Sequence, residues 1–307
     1  MRFRHAVEGY WLERRRGLSQ RTVADYTVTF ERFAAHIGNR PVEELGPADV
    51  RSFLNWMAFD LEVSGKTQAN AWIALSSFWT WAEKELKIEH AIRGRVTRPK
   101  YQRAVIEPYS KSDLKALLYA CDYAAGWNTQ TGQSARALRP TALRDKAIIV
   151  TLVDTGVRAS ELCNLELRDY AEASGRLMIR GGKGDKDRIV HLGMTGRKAL
   201  WRYLAQRPAA KQGDPLFATR TNRRIDRTAL LHLVQRTADR AGVPAANLHR
   251  FRHTFAINFL RNGGNAVELQ EMLGHADMET IRIYVRLAEV DLQNAQERAS
   301  PADHWDL

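Results

Sequence analysis

The chain has 307 residues and a formal net charge of +12, from 47 lysines and arginines against 35 aspartates and glutamates. Hydrophobic residues make up 44% and charged residues 27%, a balance that is typical of globular proteins and excludes a disordered or fibrous chain. The length predicts about two domains. Cys121 and Cys163 are too few for a disulfide framework or a four-cysteine zinc site. The basic surplus favours a polyanionic partner, most often a nucleic acid.

Neither a membrane span nor a secretion signal is predicted. No apolar run approaches the roughly 20 residues that a transmembrane helix needs. The N-terminal residues 1–5 lead into no secretory apolar segment, so we expect a cytoplasmic protein.

The first ninety or so residues have the periodicity of four helices. One helix follows Ser19, a residue type that caps helix N-termini, and ends at Gly38. Its apolar face consists of Val23, Tyr26, Phe30, Phe33 and Ile37. Pro47 stands where a first helical turn tolerates proline, and the pattern that follows runs to Gly65. We therefore predict a helical N-terminal domain over residues 1–92, with its aromatic side chains in the core.

Residues 93–105 interrupt this pattern and contain no acidic residue. Their basic residues are Arg93, Arg95, Arg98, Lys100 and Arg103. Gly94 and Pro99 favour irregular backbone, so the segment is predicted to be an exposed linker between two domains. It is either a solvated connector or a strap along DNA phosphates, in which case these five basic residues bind DNA.

The remainder, residues 106–307, alternates helical patterns with one hairpin. Ser110 and Asp113 have the spacing of a capping box and open the first helix. Further helices are predicted over residues 145–154, 195–206, 226–241, 249–262 and 265–273, with a last group around Tyr284. Two alternating stretches, 176–180 and 187–192, flank a glycine-rich turn and predict a β-hairpin. The predicted fold class is mainly α with a small antiparallel β-sheet, and residues 126–142 are predicted to be an unusually long loop.

Three short motifs place cationic residues at the ends or on the faces of these elements. Arg158 stands at the start of a predicted helix, where outward-pointing N–H groups favour an anion. Lys183 lies on the hairpin turn, from which a lysine can reach into a neighbouring groove. His249 and Arg252 are three residues apart and therefore share one helical face. Each of these features alone is more often structural than functional.

A fourth motif, Leu273-Gly274-His275, is followed nine residues later by Tyr284. In their order along the chain, the residues of the four motifs resemble the active-site set of the tyrosine recombinases, or phage integrase family, in the style of its Xer-like, phage and transposon integrases. The resembling residues are Arg158, Lys183, His249, Arg252, His275 and Tyr284. Residues 1–92 resemble the SAM-like core-binding domain of that family, and residues 106–307 resemble its catalytic domain with a C-terminal tail.

The resemblance implies a site-specific enzyme that cleaves and rejoins DNA. Tyr284 would attack a DNA phosphate, forming a 3′-phosphotyrosyl link and releasing a 5′-hydroxyl. Arg158 and Arg252 would hold the non-bridging oxygens and stabilise the charge that develops in the transition state. Because each step exchanges one phosphodiester for another, the resemblance implies no ATP, metal or other cofactor.

The other family positions imply supporting roles. Lys183 would protonate the departing 5′-oxygen, His249 would assist proton transfer at the tyrosine, and His275 would hydrogen-bond the phosphate. Glu161 and Asp145 resemble acids that buttress the arginines, although a helix-surface role is equally consistent with the sequence. We assign structural roles to six other histidines: His5, His36, His90, His191, His232 and His253.

The implied partners are double-stranded DNA recombination sites and further copies of the chain, as a tetramer on DNA, with accessory DNA-bending proteins as additional candidates. Such a protein would lie in the cytoplasm, at the nucleoid when bound to DNA. Two alternatives stay open. One is relaxation of DNA by a type IB topoisomerase-like enzyme, and the other is a non-catalytic DNA-binding accessory protein. The presence of all six catalytic residue types argues against the second.

Overall fold

The computed structural model describes residues 1–102, 107–124, 127–128, 134–135, 138–181, 187–274, 278–288 and 300. The chain divides into two compact units, Met1–Ala104 and Val105–Leu307. Most of the described secondary structure is helical, and it is accompanied by a small three-stranded antiparallel sheet. This confirms the predicted fold class. In the part of the chain that is described, no helix is both long and apolar enough to cross a membrane.

Four α-helices form the first unit, as the periodicity predicts. They are α1 (Phe3–Arg14), α2 (Gln20–His36), α3 (Pro47–Phe59) and α4 (Gly65–Glu85). The backbone amide of Thr22 donates to the Ser19 hydroxyl at 3.1 Å, so Ser19 caps α2 as expected.

Aromatic rings fill the core between these helices. The ring centroid of Phe3 lies 4.8 Å from that of Phe78 and 5.1 Å from that of Phe33. Trp79 is fully buried beside them. Tilted and edge-to-face contacts of this kind stabilise a core beyond the area that they bury. The aromatic side chains of this unit therefore hold the helices together, as predicted.

The segment after α4 begins inside this core. Ile92 and Val96 are buried, and the Trp72 indole donates to the Val96 carbonyl at 3.0 Å. The basic side chains of the segment lie outside the core: Arg93, Arg95, Arg98 and Lys100 are exposed. Arg103 lies outside the described residues.

The second unit is built from eight further α-helices in the described residues. They are α5 (Lys111–Ala120), α6 (Ala142–Thr155), α7 (Ala159–Asn164), α8 (Met194–Leu204), α9 (Arg227–Ala241), α10 (Leu248–Arg261), α11 (Ala266–Leu273) and α12 (Met278–Ala288). Helix α6 packs against α8 and α10, and α10 packs against α12. The predicted capping box opens α5, because Ser110 and Asp113 exchange two hydrogen bonds of 3.0 Å.

Two small antiparallel sheets accompany the helices. The strands are β1 (Trp127–Asn128), β2 (Ser134–Ala135), β3 (Tyr170–Ala171), β4 (Arg176–Ile179) and β5 (Arg188–His191). Strands β4 and β5 form the predicted hairpin, with Leu177 opposite Val190. Strand β3 adds a third strand to this hairpin. Strand β1 pairs with β2 inside residues 126–142, where the sequence predicts a loop.

A glycine lets α6 end against α10. Gly156 has φ +61°, and a Cβ there would lie 2.3 Å from Phe255 Cδ1. Both the left-handed backbone and the close approach therefore require glycine. The same glycine places its carbonyl, which accepts a hydrogen bond from Arg252, at the end of the helix.

We expect Gly156→Ala to lower the free energy of unfolding by about 3 kcal/mol, because it adds a clash with a core ring to the left-handed strain. Gly242→Ala is the matched control, since Gly242 also ends a helix with φ +67° but has open space where its Cβ would be. The control should cost about 1 kcal/mol. Urea unfolding of both variants tests this, and equal costs would contradict it.

Candidate active site

A buried carboxylate, Glu161, fixes the residue at the start of α7. The Arg158 amide donates to Glu161 Oε2 at 2.7 Å, which caps the helix. The Arg158 guanidinium donates to Glu161 Oε1, also at 2.7 Å. Backbone and side chain of Arg158 are thus held by the same carboxylate, and the side chain stays 28% exposed. A cation is therefore presented at the helix N-terminus, where it can meet an anion.

Arg188, on β5, holds the same carboxylate from the other side. Its two terminal nitrogens donate to the two oxygens of Glu161 at 2.9 and 2.7 Å, and its Nε donates to the Met272 carbonyl at 2.7 Å. Burial favours the neutral acid, but the hydrogen bonds from Arg188 and Arg158 and the charge of Arg188 outweigh it. Together they lower the pKa of Glu161 to about 2, so this carboxylate is ionised at neutral pH.

Arg252 lies buried between two helix ends. It donates to the Gly156 carbonyl at the end of α6 and to the Leu273 carbonyl at the end of α11, both at 2.7 Å. Helix C-termini carry partial negative charge and unpaired carbonyls, so they suit a cation. Burial, reinforced by the charge of Arg158, lowers the pKa of Arg252 to about 10, which leaves the guanidinium charged at neutral pH.

Tyr284 lies on α12 in the electrostatic field of these arginines. Its side chain is buried in a small apolar cluster with Ile281 and Ala288. Burial raises the pKa of Tyr284, while the charges of Arg252 and Arg158 act in the opposite direction. The phenol is therefore neutral at neutral pH in the free protein, with two cations placed to stabilise its anionic form.

Two histidines on α10 complete this group of side chains. The ring of His253 lies 4.5 Å from the ring of His249 and 5.3 Å from that of Tyr284, measured between centroids. Neither ring nitrogen of His253 has a hydrogen-bond partner among the described residues. Burial, reinforced by His249 and Arg252, lowers the pKa of His253 to about 4, so its imidazole is neutral at neutral pH.

The structure therefore brings together four of the six residues that the sequence predicts to be catalytic. Arg158, Arg252 and Tyr284 interact electrostatically, and His249 is linked to Tyr284 through the ring of His253. Lys183 and His275 lie outside the described residues. His275 directly follows Gly274, whose carbonyl accepts a hydrogen bond from Arg158 at 3.3 Å.

The two acids expected to buttress the arginines differ in their partners. Glu161 binds Arg158, as described above. Asp145 is fully buried and is held instead by Arg139 and Arg144, each at 2.8 Å. Both acids are buried, so the alternative that they lie on a helix surface is wrong. The prediction that Asp145 supports a candidate catalytic arginine is also wrong, because its arginine partners are Arg139 and Arg144.

The basic residues that follow α4 stay predicted DNA contacts. Arg93 forms an ion pair with Glu83 at 2.9 Å, and Arg95 forms one with Glu89. All of these side chains are solvent-exposed enough for a phosphate to compete with the carboxylates.

The sequence interpretation missed two residues of this site. Arg188 shares the alternating face of β5 with buried Val190, and a cation on a buried strand face predicts a buried anionic partner. His253 lies four residues after His249 and so shares its helical face. The sequence predicts a structural role for His253, and in the structure its ring lies against that of Tyr284.

The depressed pKa of His253 predicts a stability change with pH. An unfolded histidine titrates near pH 6.5, whereas His253 in the folded chain titrates at about 4. Between these values only the unfolded chain binds the proton, so stability is lost as the pH falls through 6.5 toward 4. We expect His253 to contribute a loss of about 2 kcal/mol in the free energy of unfolding between pH 7 and pH 5.

Urea unfolding at pH 7 and pH 5 measures this contribution. In His253→Asn the loss between the two pH values should be smaller than in the wild type by that amount. His232→Asn is the control, because His232 is an exposed histidine on α9, and it should keep the wild-type loss. An undiminished loss in His253→Asn would show that this histidine is not held neutral by the fold.

The chain is similar in sequence to known recombinases along most of its length. Residues 110–290 match the phage integrase family, and residues 10–88 match the phage integrase N-terminal SAM-like domain. The tyrosine recombinase XerC of Corynebacterium efficiens is 32% identical over 287 residues, which cover 93% of this chain and 87% of the relative. The tyrosine recombinase XerD of Neisseria meningitidis serogroup B is 30% identical over 297 residues, which cover 94% of both chains.

Solved structures of two recombinases and an integrase have a similar fold. XerA recombinase matches with a TM-score of 0.51 and 28% identity, covering 97% of this chain and 98% of the other. XerH recombinase, bound to a palindromic difH substrate after cleavage, matches with a TM-score of 0.68 and 22% identity over 93% and 80% of the two chains. A lambda integrase tetramer bound to a Holliday junction matches with a TM-score of 0.72 and 14% identity over 92% and 77%.

The similarity to XerC and XerD extends along nearly the whole chain, and the phage integrase match includes Arg158, Arg252 and Tyr284. The protein therefore belongs to the phage integrase family and is a tyrosine recombinase.

Proposed function

We propose that this recombinase cleaves and rejoins DNA at specific sites through a covalent bond between Tyr284 and a DNA 3′-phosphate. The observation that carries the proposal is the grouping of the Tyr284 ring with the ring of His253, 5.3 Å away, in the electrostatic field of Arg158 and Arg252. Guanidinium groups are cationic, so both arginines favour the phenolate, which is the attacking form. The same two cations suit the charge that develops on a phosphorus under attack.

In the proposed reaction, Tyr284 Oη bonds to the phosphorus as the bond from phosphorus to the 5′-oxygen breaks. The phenol proton leaves through the neighbouring histidines, with His249 as the acceptor, and the 5′-oxygen takes a proton from Lys183. Attack of a 5′-hydroxyl on the phosphotyrosine then reverses these steps and releases Tyr284. The number of phosphodiester bonds is unchanged, so the exchange needs neither ATP nor a metal ion.

The roles of Lys183 and His275 rest on the family resemblance alone. Arg158 and Arg252 have further support from their settings. Arg158 is partly exposed at a helix start, while Arg252 is rigidly held by two carbonyls. A guanidinium group whose orientation is already fixed loses little conformational entropy when it binds a phosphate.

We also propose that the protein acts on duplex DNA as a homotetramer. Its net charge of +12 favours a polyanion, and a solved relative of similar fold is a tetramer on a Holliday junction. Two duplexes with two cleavages each require four copies of one nucleophile. Accessory DNA-bending proteins complete the proposed set of partners.

Tyr284→Phe should abolish covalent adducts while DNA affinity changes by about twofold or less, because only the attacking oxygen is lost. The test incubates supercoiled DNA carrying both flanks of the gene with the protein, quenches with SDS and looks for a denaturation-resistant adduct. Tyr203→Phe is the control, since Tyr203 is another buried tyrosine whose hydroxyl is hydrogen-bonded to Ala218.

Adducts that persist in Tyr284→Phe would overturn the proposed nucleophile. Relaxation of plasmids of any sequence by the monomer, without exchange between sites, would instead indicate topoisomerase activity.

DNA affinity should fall steeply with salt, because each phosphate contact releases a counterion. With about six such contacts, the association constant should drop about 1,000-fold between 50 and 200 mM salt. Fluorescence anisotropy with a labelled duplex measures this. An affinity that is nearly flat over that range would contradict binding through phosphates.

A further inference from the structure

All three guanidinium nitrogens of Arg188 donate hydrogen bonds inside the protein. Its side chain is 10% exposed, and its three nitrogens donate to the two oxygens of Glu161 and to the Met272 carbonyl. The stem of the side chain packs against Gly274, where a Cβ would lie 3.1 Å from Arg188 Cδ. Each guanidinium nitrogen of Arg188 therefore already donates a hydrogen bond within the protein.

These contacts join three elements that meet at the candidate site. Strand β5 carries Arg188 itself, α7 carries Glu161 and begins after Arg158, and α11 ends at Leu273. The Leu273 carbonyl, one residue after the Met272 carbonyl, accepts from Arg252. One side chain thus connects the supports of both candidate phosphate-binding arginines.

The charge balance gives Arg188 a role beyond packing. Glu161 carries one negative charge, and it faces two arginines. If Arg158 were its only partner, the pair would be neutral and the field of Arg158 at a phosphate would be largely cancelled. With Arg188 present, the three groups carry a net charge of +1, which leaves the equivalent of one cation for the DNA phosphate.

We infer that Arg188 is a positioning residue for DNA cleavage, which neutralises and orients Glu161 so that the geometry and charge of Arg158 serve the scissile phosphate. This inference rests on the proposed function. Arg188 touches neither the phosphate nor the nucleophile in this account, so its effect reaches the reaction through Glu161 and Arg158.

The first test compares Arg188→Met and Arg188→Lys in adduct formation at saturating DNA. Arg188→Met should slow adduct formation about 100-fold, since a misplaced catalytic group has effects of that size, while DNA affinity stays within about threefold. Arg188→Lys should recover part of the rate, because lysine keeps the charge but cannot donate a planar fork.

Arg224→Met is the matched control. Arg224 also binds a carbonyl and a carboxylate in this unit, those of Cys163 and Glu166, at 3.0 and 3.1 Å. Its loss should change the adduct rate by about twofold or less, because neither the Cys163 carbonyl nor the Glu166 side chain is hydrogen-bonded to Arg158 or Arg252 among the described residues. If Arg224→Met slowed adduct formation as much as Arg188→Met does, the effect of Arg188 would be a general result of losing an ion pair in this unit. The inference would then be overturned.

A double variant separates positioning from a merely structural role. Without Arg188, the Glu161 carboxylate cancels the charge of Arg158, so Glu161→Gln should restore the net charge of +1 at the site. We expect the double variant Arg188→Met with Glu161→Gln to form adducts at least as fast as Arg188→Met alone. If the two losses multiply instead, the two residues act independently and the inference is overturned.

The outcomes also separate this inference from the proposed function. If the wild type forms no adduct on Tyr284, the proposed function fails and the inference fails with it. If the wild type forms the adduct and Arg188→Met matches its rate, only the inference fails. Thermal unfolding shows which variants fold. If Arg188→Met does not fold, the adduct rate of Arg188→Lys relative to the wild type carries the test.

Discussion

The site depends on one buried carboxylate that is shared by two arginines. A buried ionised acid is unfavourable unless its oxygens are fully hydrogen-bonded to cations or amides. Glu161 meets that condition through the Arg158 amide and through the guanidiniums of Arg158 and Arg188. Because its partners lie on separate elements, satisfying this one charge also fixes the position of α7 against β5. The geometry of the candidate site is therefore a consequence of how the fold compensates a buried charge.

Arg252, the second candidate phosphate-binding arginine, is held in place by backbone carbonyls and, in the described part of the chain, not by a carboxylate. Arg252 has backbone carbonyls as partners, at helix ends that glycines allow to come close. Carbonyl dipoles stabilise the guanidinium without cancelling its unit charge, so Arg252 remains a full cation beside Tyr284. The burial that raises the pKa of the phenol also strengthens its interaction with both arginines. A phosphate that enters such a site meets charges whose orientation is already settled.

Local patterns predicted most of the helices and the hairpin. Apolar spacing and caps such as Ser19 and Ser110 are properties of neighbouring residues, so they could be read without a structure. Strand β3 has only two residues and no pattern of its own, and it exists because β4 offers it an edge. Arg188 was missed for a similar reason, because its partners Glu161 and Met272 are 27 and 84 residues away. Asp145 shows the reverse case, in which the residue was singled out but its tertiary partners were not the expected ones.

The most direct measurement is a structure of the protein on a DNA duplex that contains its cleavage site, with Tyr284 replaced by phenylalanine to prevent turnover. The account predicts that Arg158 and Arg252 contact the non-bridging oxygens of one phosphate. It also predicts that Arg188 still holds Glu161 and the Met272 carbonyl as in the free protein. A phosphate bound away from these two arginines, or an Arg188 that leaves Glu161 to contact the DNA, would contradict it.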